Sequence, residues 1–125
     1  MANDLIIAMI AGTGTTRNTT IISLCHLIKN KLSAKRSRAE NKKSMEKYKV
    51  EKVIDMTHKH TGQGDFEFLN WVINESMRFN PPAPATEEFR ITKDCKLGPY
   101  TFYKNTAVAF YVYGAHQNPE QWHTP

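Results

Sequence analysis

Long apolar runs are missing from these 125 residues. The longest, Leu5 to Ala11, falls well short of the roughly 20 residues that cross a bilayer, and no signal-peptide pattern stands ahead of it. Cysteine is scarce: Cys25 and Cys95 give no disulfide framework, which suits a reducing compartment or indifference to redox state. The Asn18-Thr19-Thr20 sequon therefore carries little weight. Glycine-rich and acidic low-complexity tracts are absent too, and no internal repeat is visible. With 40% hydrophobic residues, the chain has material for one modest domain, although a piece of this size is not expected to bury both faces of its long apolar helix. The pair His58-x-His60 lacks support from cysteine or carboxylate and reads as a loop feature, so no metal site is expected there.

Acidic residues are in deficit, 12 against 17 basic, for a net charge of +5 and a pI near 9.3. Much of the excess lies between Lys29 and Lys52, in Lys31, Lys35, Arg36, Arg38, Lys42, Lys43, Lys47 and Lys49, relieved by Glu40, Glu46 and Glu51. Such a run can dock an acidic partner, an anionic membrane surface or nucleic acid. A solvated connector is the simpler reading.

What is present is concentrated in two segments. The first is Ala11-Gly12-Thr13-Gly14-Thr15-Thr16, flanked by Leu5, Ile6, Ile7, Met9 and Ile10 and by Ile21, Ile22, Leu24, Leu27 and Ile28. Length and spacing predict one long helix. Glycine in its middle costs about 1 kcal/mol against alanine, and threonine is also unfavourable. A removed side chain lets a flat ligand approach the backbone. A threonine hydroxyl bonding back one turn bends a helix and frees carbonyl groups for water or ligand. Helix–helix packing through small residues is the alternative.

The second segment is Glu75-Ser76-Met77-Arg78, followed by Phe79-Asn80-Pro81-Pro82. On a helix that also carries Phe68, Leu69, Val72, Ile73 and Met77, the three-residue spacing sets carboxylate beside guanidinium. Exposed, such a pair contributes about 0.2–0.5 kcal/mol; buried, loss of one partner costs about 3–5 kcal/mol. Pro81, Pro82 and Pro84 end the helix and force an extended stretch, which fixes the pair at a corner. The pattern predicts helices over Asn3 to Lys31, around Met45 to Met56 and over Phe66 to Phe79. Short strands are expected near Arg90 to Thr92, Thr101 to Tyr103 and Ala107 to Tyr111, with turns at Gly98-Pro99 and Lys104-Asn105. The class is mainly α with a small antiparallel β-sheet.

Taken together, these segments resemble the cytochrome P-450 family of haem-thiolate monooxygenases. The family's central helix carries Ala/Gly-Gly-x-Asp/Glu-Thr, which Ala11 to Thr15 resembles, and a later helix carries Glu-x-x-Arg, which Glu75 and Arg78 match. Arg78 to Pro84 is similar to the family's helix exit, Asp94 to Gly98 and Tyr100 to Val108 to its small sheet, and His116-Gln117-Asn118-Pro119 with Trp122 to the turn before the haem-binding loop. The likeness covers nearly the whole chain, least between about Asn30 and Gly64.

The resemblance implies a partial cytochrome P-450 fold: a central oxygen-binding helix (1–31), a basic connector (32–64), the Glu-x-x-Arg helix (65–80), and the small sheet and turn (81–125). It implies a haem cofactor in the complete protein, an apolar small-molecule substrate, and electrons from NAD(P)H through a flavoprotein reductase or a ferredoxin. Nucleic acid is not an expected partner. The complete protein would sit at the endoplasmic-reticulum membrane facing the cytoplasm if eukaryotic, otherwise in the cytoplasm, with membrane association only through regions outside this sequence.

By the same resemblance, Thr15 would be the catalytic hydroxyl that bonds dioxygen or a nearby water and helps deliver protons, and Ala11 and Gly12 would line the groove above the haem. Glu75 and Arg78 would lock the haem-binding core. The family's acidic residue before the threonine is Gly14 here, so a relay would use water or another side chain. The arginine that meets a haem propionate falls by count at Glu88, with Arg90 two further on. The axial cysteine loop, Phe-x-x-Gly-x-Arg-x-Cys-x-Gly, has no counterpart: Cys25 reads as a small core residue, Cys95 as a partly exposed strand residue, and neither as the ligand. The chain is thus expected to be an internal fragment, inactive alone. The alternative is a stand-alone basic binding module derived from such an enzyme.

Overall fold

The computed structural model describes residues 2–61 and 64–123. They form a mainly α chain with short antiparallel strands, in two compact units, Met1–Pro82 and Ala83–Pro125.

Three helices make the first unit. α1 runs Ala2–Lys29, with Asp4 in its first turn and His26 and Lys29 in its last, the charge order that the helix dipole favours. Asn30 ends it and starts the next helix: its Oδ1 accepts from the Ser33 N–H at 3.0 Å, capping α2, Lys31–Tyr48. α2 closes with Lys49 in the left-handed region, φ 54°, where the Lys49 and Val50 N–H groups bond back to Glu46 and Met45. The expected helix around Met45 to Met56 is thereby corrected. The helix lies earlier, and only a single 3-10 turn, Val53–Asp55, forms in the later part of that range. Lysine, arginine, alanine and glutamate propagate a helix without any apolar period, and that missing period hid α2 in the sequence. A second 3-10 turn spans His58–His60; Gly62, at the end of that segment, lies outside the described residues.

α3, Glu67–Phe79, starts without a local cap, since Phe66 has no oxygen to offer. Glu40 of α2 fills the gap. Its Oε1 and Oε2 accept from the Phe68 and Leu69 N–H groups at 2.8 and 2.9 Å, placing a carboxylate on two orphan donors at the positive end of the helix. Asp65 secures the preceding turn. Its backbone carbonyl accepts from Ser44 Oγ at 3.0 Å, and its carboxylate takes Lys47 Nζ at 2.6 Å and the Tyr48 hydroxyl.

No hydrophobic side chain is buried among the described residues; the buried ones are Ser23, Ser37, Ser44, Ser76 and Arg78. The three helices therefore meet through small hydroxyl-bearing residues that let backbones approach. Leu5, Ile6, Ile7, Met9 and Ile10 stay more than half exposed. Apolar residues on every side of α1 mark a helix suited to enclosure within a larger fold. Cys25, expected in a core, is exposed, because no such core exists around α1.

In the second unit β1, Phe89–Arg90, pairs with β4, Ala107–Val108, and β2, Cys95–Leu97, pairs with β3, Tyr100–Phe102, both antiparallel. The strand pattern alone missed β2, whose residues alternate poorly and are all exposed. Gly98-Pro99 joins β2 to β3, with Gly98 at φ 56°, the first-position geometry of a type II′ hairpin turn. A short helix α4, Val112–His116, follows, and Trp122 Nε1 donates to the Ala115 carbonyl at 3.2 Å.

Glu40→Ala is expected to cost about 1 kcal/mol, as loss of a helix cap does, and to speed amide exchange at Phe68 and Leu69. Unchanged protection of those two amides would show that Glu40 does not hold α3.

Candidate functional site

The glycine–threonine segment lies in mid-α1, and its hydroxyls behave as threonines in helices do. Thr15 Oγ1 donates to the Ala11 carbonyl at 2.8 Å, and Thr20 Oγ1 to the Thr16 carbonyl at 2.9 Å. Ala11, Gly12 and Thr15 are exposed. A Cβ built at Gly12 or Gly14 would meet no atom within 4 Å, so the helix surface there is open to an approaching group.

Between α1 and α3 runs an open groove of about 490 Å³. Thr15, Thr19 and Ser23 line it from α1, and Leu69, Ile73 and Met77 from α3. Ala11 and Gly12 do not line this groove. Thr15, Thr19 and Ser23 stand four residues apart, hence on one helix face, and Ser23 Oγ is buried without a hydrogen-bond partner. The sequence carried this spacing, but its reading singled out Thr15 alone; α3 supplies the wall that sets Thr19 and Ser23 beside it.

A second concavity, about 310 Å³, opens beside the first and shares Leu27 with it. His26, Trp71, Val72, Glu75 and Ser76 contribute to it. Ser76, 1% exposed, donates to the Val72 carbonyl at 2.7 Å and lies 3.0 Å from His26 Nδ1. A serine hydroxyl has one proton, here committed to Val72, so His26 must donate through Nδ1–H. The His26 ring also meets Phe79 edge-on, at 6.2 Å between centroids. His26 and Ser76 are fifty positions apart and belong to no shared motif, which is why sequence reasoning left His26 unassigned.

Glu75 and Arg78 form a two-pronged pair: Nε to Oε2 at 2.8 Å and Nη2 to Oε1 at 2.7 Å. The pair is asymmetric. The Arg78 side chain is 7% exposed and that of Glu75 59%. The guanidinium holds the Glu75 carboxyl below its ordinary 4.5, with a smaller pull from His26, and Glu75 in turn raises Arg78. In the second unit Arg90 Nη1 donates to the Asn105 carbonyl at 3.3 Å, while Glu88 is exposed. Cys95 lies in β2 as an exposed free thiol. His60 Nδ1 accepts from the Thr57 N–H at 2.9 Å, so that nitrogen is occupied as a cap. No group of three or more metal-ligating side chains occurs among the described residues, and no described helix is long and apolar enough to cross a membrane.

A helix exposing glycines with a back-bonded threonine, a second helix with a paired Glu-x-x-Arg ending at prolines, and short antiparallel strands later in the chain belong to one class of protein. The family model for cytochrome P-450 matches residues 1–125, and the chain belongs to that family. Among curated proteins it is 29% identical over 121 residues to cytochrome P-450 71B14 of Arabidopsis thaliana, covering 97% of this chain and 23% of that protein. It is 28% identical to tabersonine 16-hydroxylase 1 of Catharanthus roseus (92% of this chain, 21% of the relative) and 25% identical to isoflavone 3'-hydroxylase of Medicago truncatula (91% and 21%). The chain thus spans about a fifth of the length of these relatives. Solved structures give no significant match.

The asymmetry of the ion pair sets an expected order of effects. Glu75→Leu, which leaves the buried guanidinium without the Glu75 carboxylate, destabilises the first unit more than Arg78→Leu, which removes the buried charge; about 3 kcal/mol is the ceiling for the former. Equal losses in chemical unfolding would refute that order. Because Glu75 titrates low in the folded state, its contribution is complete above pH 4.5 and fades as the pH falls through the lower folded value. Arg78→Leu should shrink that acid limb of the stability profile, leaving the part that the lowered Asp65 contributes.

Proposed function

We propose that this chain is a segment of a haem-thiolate monooxygenase that inserts one atom of O₂ into an apolar organic substrate. In this reading residues 1–31 form the oxygen-side helix, 32–64 a basic connector, 65–80 the Glu-x-x-Arg helix, and 81–125 the small sheet and turn. The observation that carries it is the family match along the whole chain. The hydroxylase names of two relatives agree with the reaction class.

The residues present suit a flat macrocycle. The open surface at Gly12 and Gly14 leaves the α1 backbone approachable, and Ala11 and Gly12 would pack against the face of a haem lying there. Bound haem with a cysteine thiolate supplies oxygen activation, the thiolate's electron donation favouring O–O cleavage. Cys25 and Cys95 lack the flanking residues of that ligand loop, so the thiolate would come from elsewhere in the complete enzyme.

Thr15 holds its proton on the Ala11 carbonyl and keeps its oxygen lone pairs open to a water. Releasing that carbonyl by rotation about the Cα–Cβ bond would turn the hydroxyl proton outward. With Gly14 in place of the family's acid, the proton that Thr15 passes on must arrive through water. Glu75 and Arg78 act as a structural lock and touch no reacting atom. Electrons would come from NAD(P)H through a flavoprotein reductase or a ferredoxin. By likeness to plant relatives, the complete enzyme would sit at the endoplasmic-reticulum membrane facing the cytoplasm, anchored by regions other than this one.

Two measurements test this. With carbon monoxide added after chemical reduction, the complete polypeptide carrying this segment is expected to give a thiolate-type haem spectrum, and the 125-residue chain alone is not; the spectrum from the chain alone would overturn the reading. In the complete enzyme Thr15→Ala is expected to lower product formed per electron, with peroxide released instead, because a positioned proton relay contributes about 10²–10⁴ in rate. Unchanged coupling would remove Thr15 from the relay.

A further inference from the structure

His26 is a titratable side chain that the monooxygenase reading leaves without a task. It sits in the last turn of α1 and touches α3 at two points: Nδ1 lies 3.0 Å from Ser76 Oγ, and the ring meets that of Phe79 edge-on. Ser76 and Phe79 stand three residues apart, on one face of α3. Both contacts are made by α1 and α3 themselves, and Ser76 is already only 1% exposed, so neither depends on surface that a larger fold would cover.

Two contacts along one face fix more than a distance. A helix joined at a single point can roll about its own axis, and each residue of an α-helix advances by about 100° around it. Glu75 precedes Ser76 by one residue and Arg78 follows it by two, so pinning Ser76 and Phe79 to α1 sets the direction in which the ion pair leaves α3. The pair cannot set that direction itself, because both of its hydrogen bonds run within α3. Glu40 holds only the first turn of the helix, at Phe68 and Leu69. His26 is its counterpart near the other end.

We propose that His26 is a positioning residue of the haem-binding core: its Nδ1–H on Ser76 fixes the rotation of α3 and thereby aims Glu75 and Arg78 at the rest of that core. The proposal rests on the monooxygenase reading and concerns a part of α1 remote from Thr15.

The test uses the complete polypeptide. The amide nitrogen of asparagine stands two bonds from Cβ, as Nδ1 does, so His26→Asn keeps a donor for Ser76, whereas His26→Gln sets it one bond further out and His26→Leu removes it. Helix propensity ranks leucine and glutamine above asparagine, so a residue that merely propagates α1 would order the variants the other way. His26→Leu is expected to lower the fraction of bound haem that gives the thiolate-type spectrum with carbon monoxide after chemical reduction. It should also speed amide exchange over Glu75 to Asn80 by about two- to tenfold, the worth of one hydrogen bond. His26→Asn should retain the most of both properties and His26→Leu the least. Ser76→Ala added to His26→Leu should cost little beyond either change alone, since the two remove one bond. The propensity order, additive losses, or faster exchange with an unchanged spectrum would overturn the proposal. Absence of the spectrum from the unsubstituted polypeptide would overturn the monooxygenase reading and the proposal with it, an outcome told apart by exchange rates that still follow the order Asn, Gln, Leu.

Discussion

Everything in the first unit hangs on the place where α1 and α3 touch. Ser76 is the most deeply buried side chain described there, and its single hydroxyl settles three matters together. By donating to the Val72 carbonyl it stays folded against its own helix; by accepting from His26 it ties that helix to α1; and by using its only proton on Val72 it dictates which imidazole nitrogen of His26 carries hydrogen. A larger residue at this contact would push the helices apart, and the groove that runs from Thr15 to Met77 takes its width from that separation.

The contact matters because hydrophobic burial does not supply it. Most folded domains draw their stability from apolar side chains removed from water, yet the buried residues here are four serines and an arginine. Polar contacts then carry the local order: Asn30 divides α1 from α2, Glu40 reaches across to start α3, Asp65 gathers Ser44, Lys47 and Tyr48, and Glu75 braces Arg78. Such contacts contribute modestly in water. They define geometry well and stability poorly, a balance suited to a piece whose apolar surfaces belong inside a larger fold. A chain spanning about a fifth of its relatives' length fits that description.

The local interactions also differ along one helix pair. Toward the middle of α1, glycine and threonine leave backbone and hydroxyl accessible. Toward its end, His26 bonds Ser76 one residue from Glu75, which pairs with Arg78. The open stretch and the hydrogen-bonded stretch lie on the same two helices, the one set by residue size and the other by hydrogen bonding.

Residue order alone determined the elements with a local cause: α1 from its apolar run, α3 from its apolar spacing and terminal prolines, the Gly98-Pro99 turn from its turn residues, and the family from Ala11 to Thr15 with Glu75 and Arg78. It misplaced the charged helix, since α2 has no apolar stripe to betray it, and it put Cys25 in a core that the fold does not build. Tertiary structure decided the rest. That Glu40 caps α3, that His26 meets Ser76 and that Ser23 faces a groove are matters of residues far apart in sequence brought together in space. Local propensity and periodicity carry no information about such meetings, because they depend on how three separate helices settle against one another.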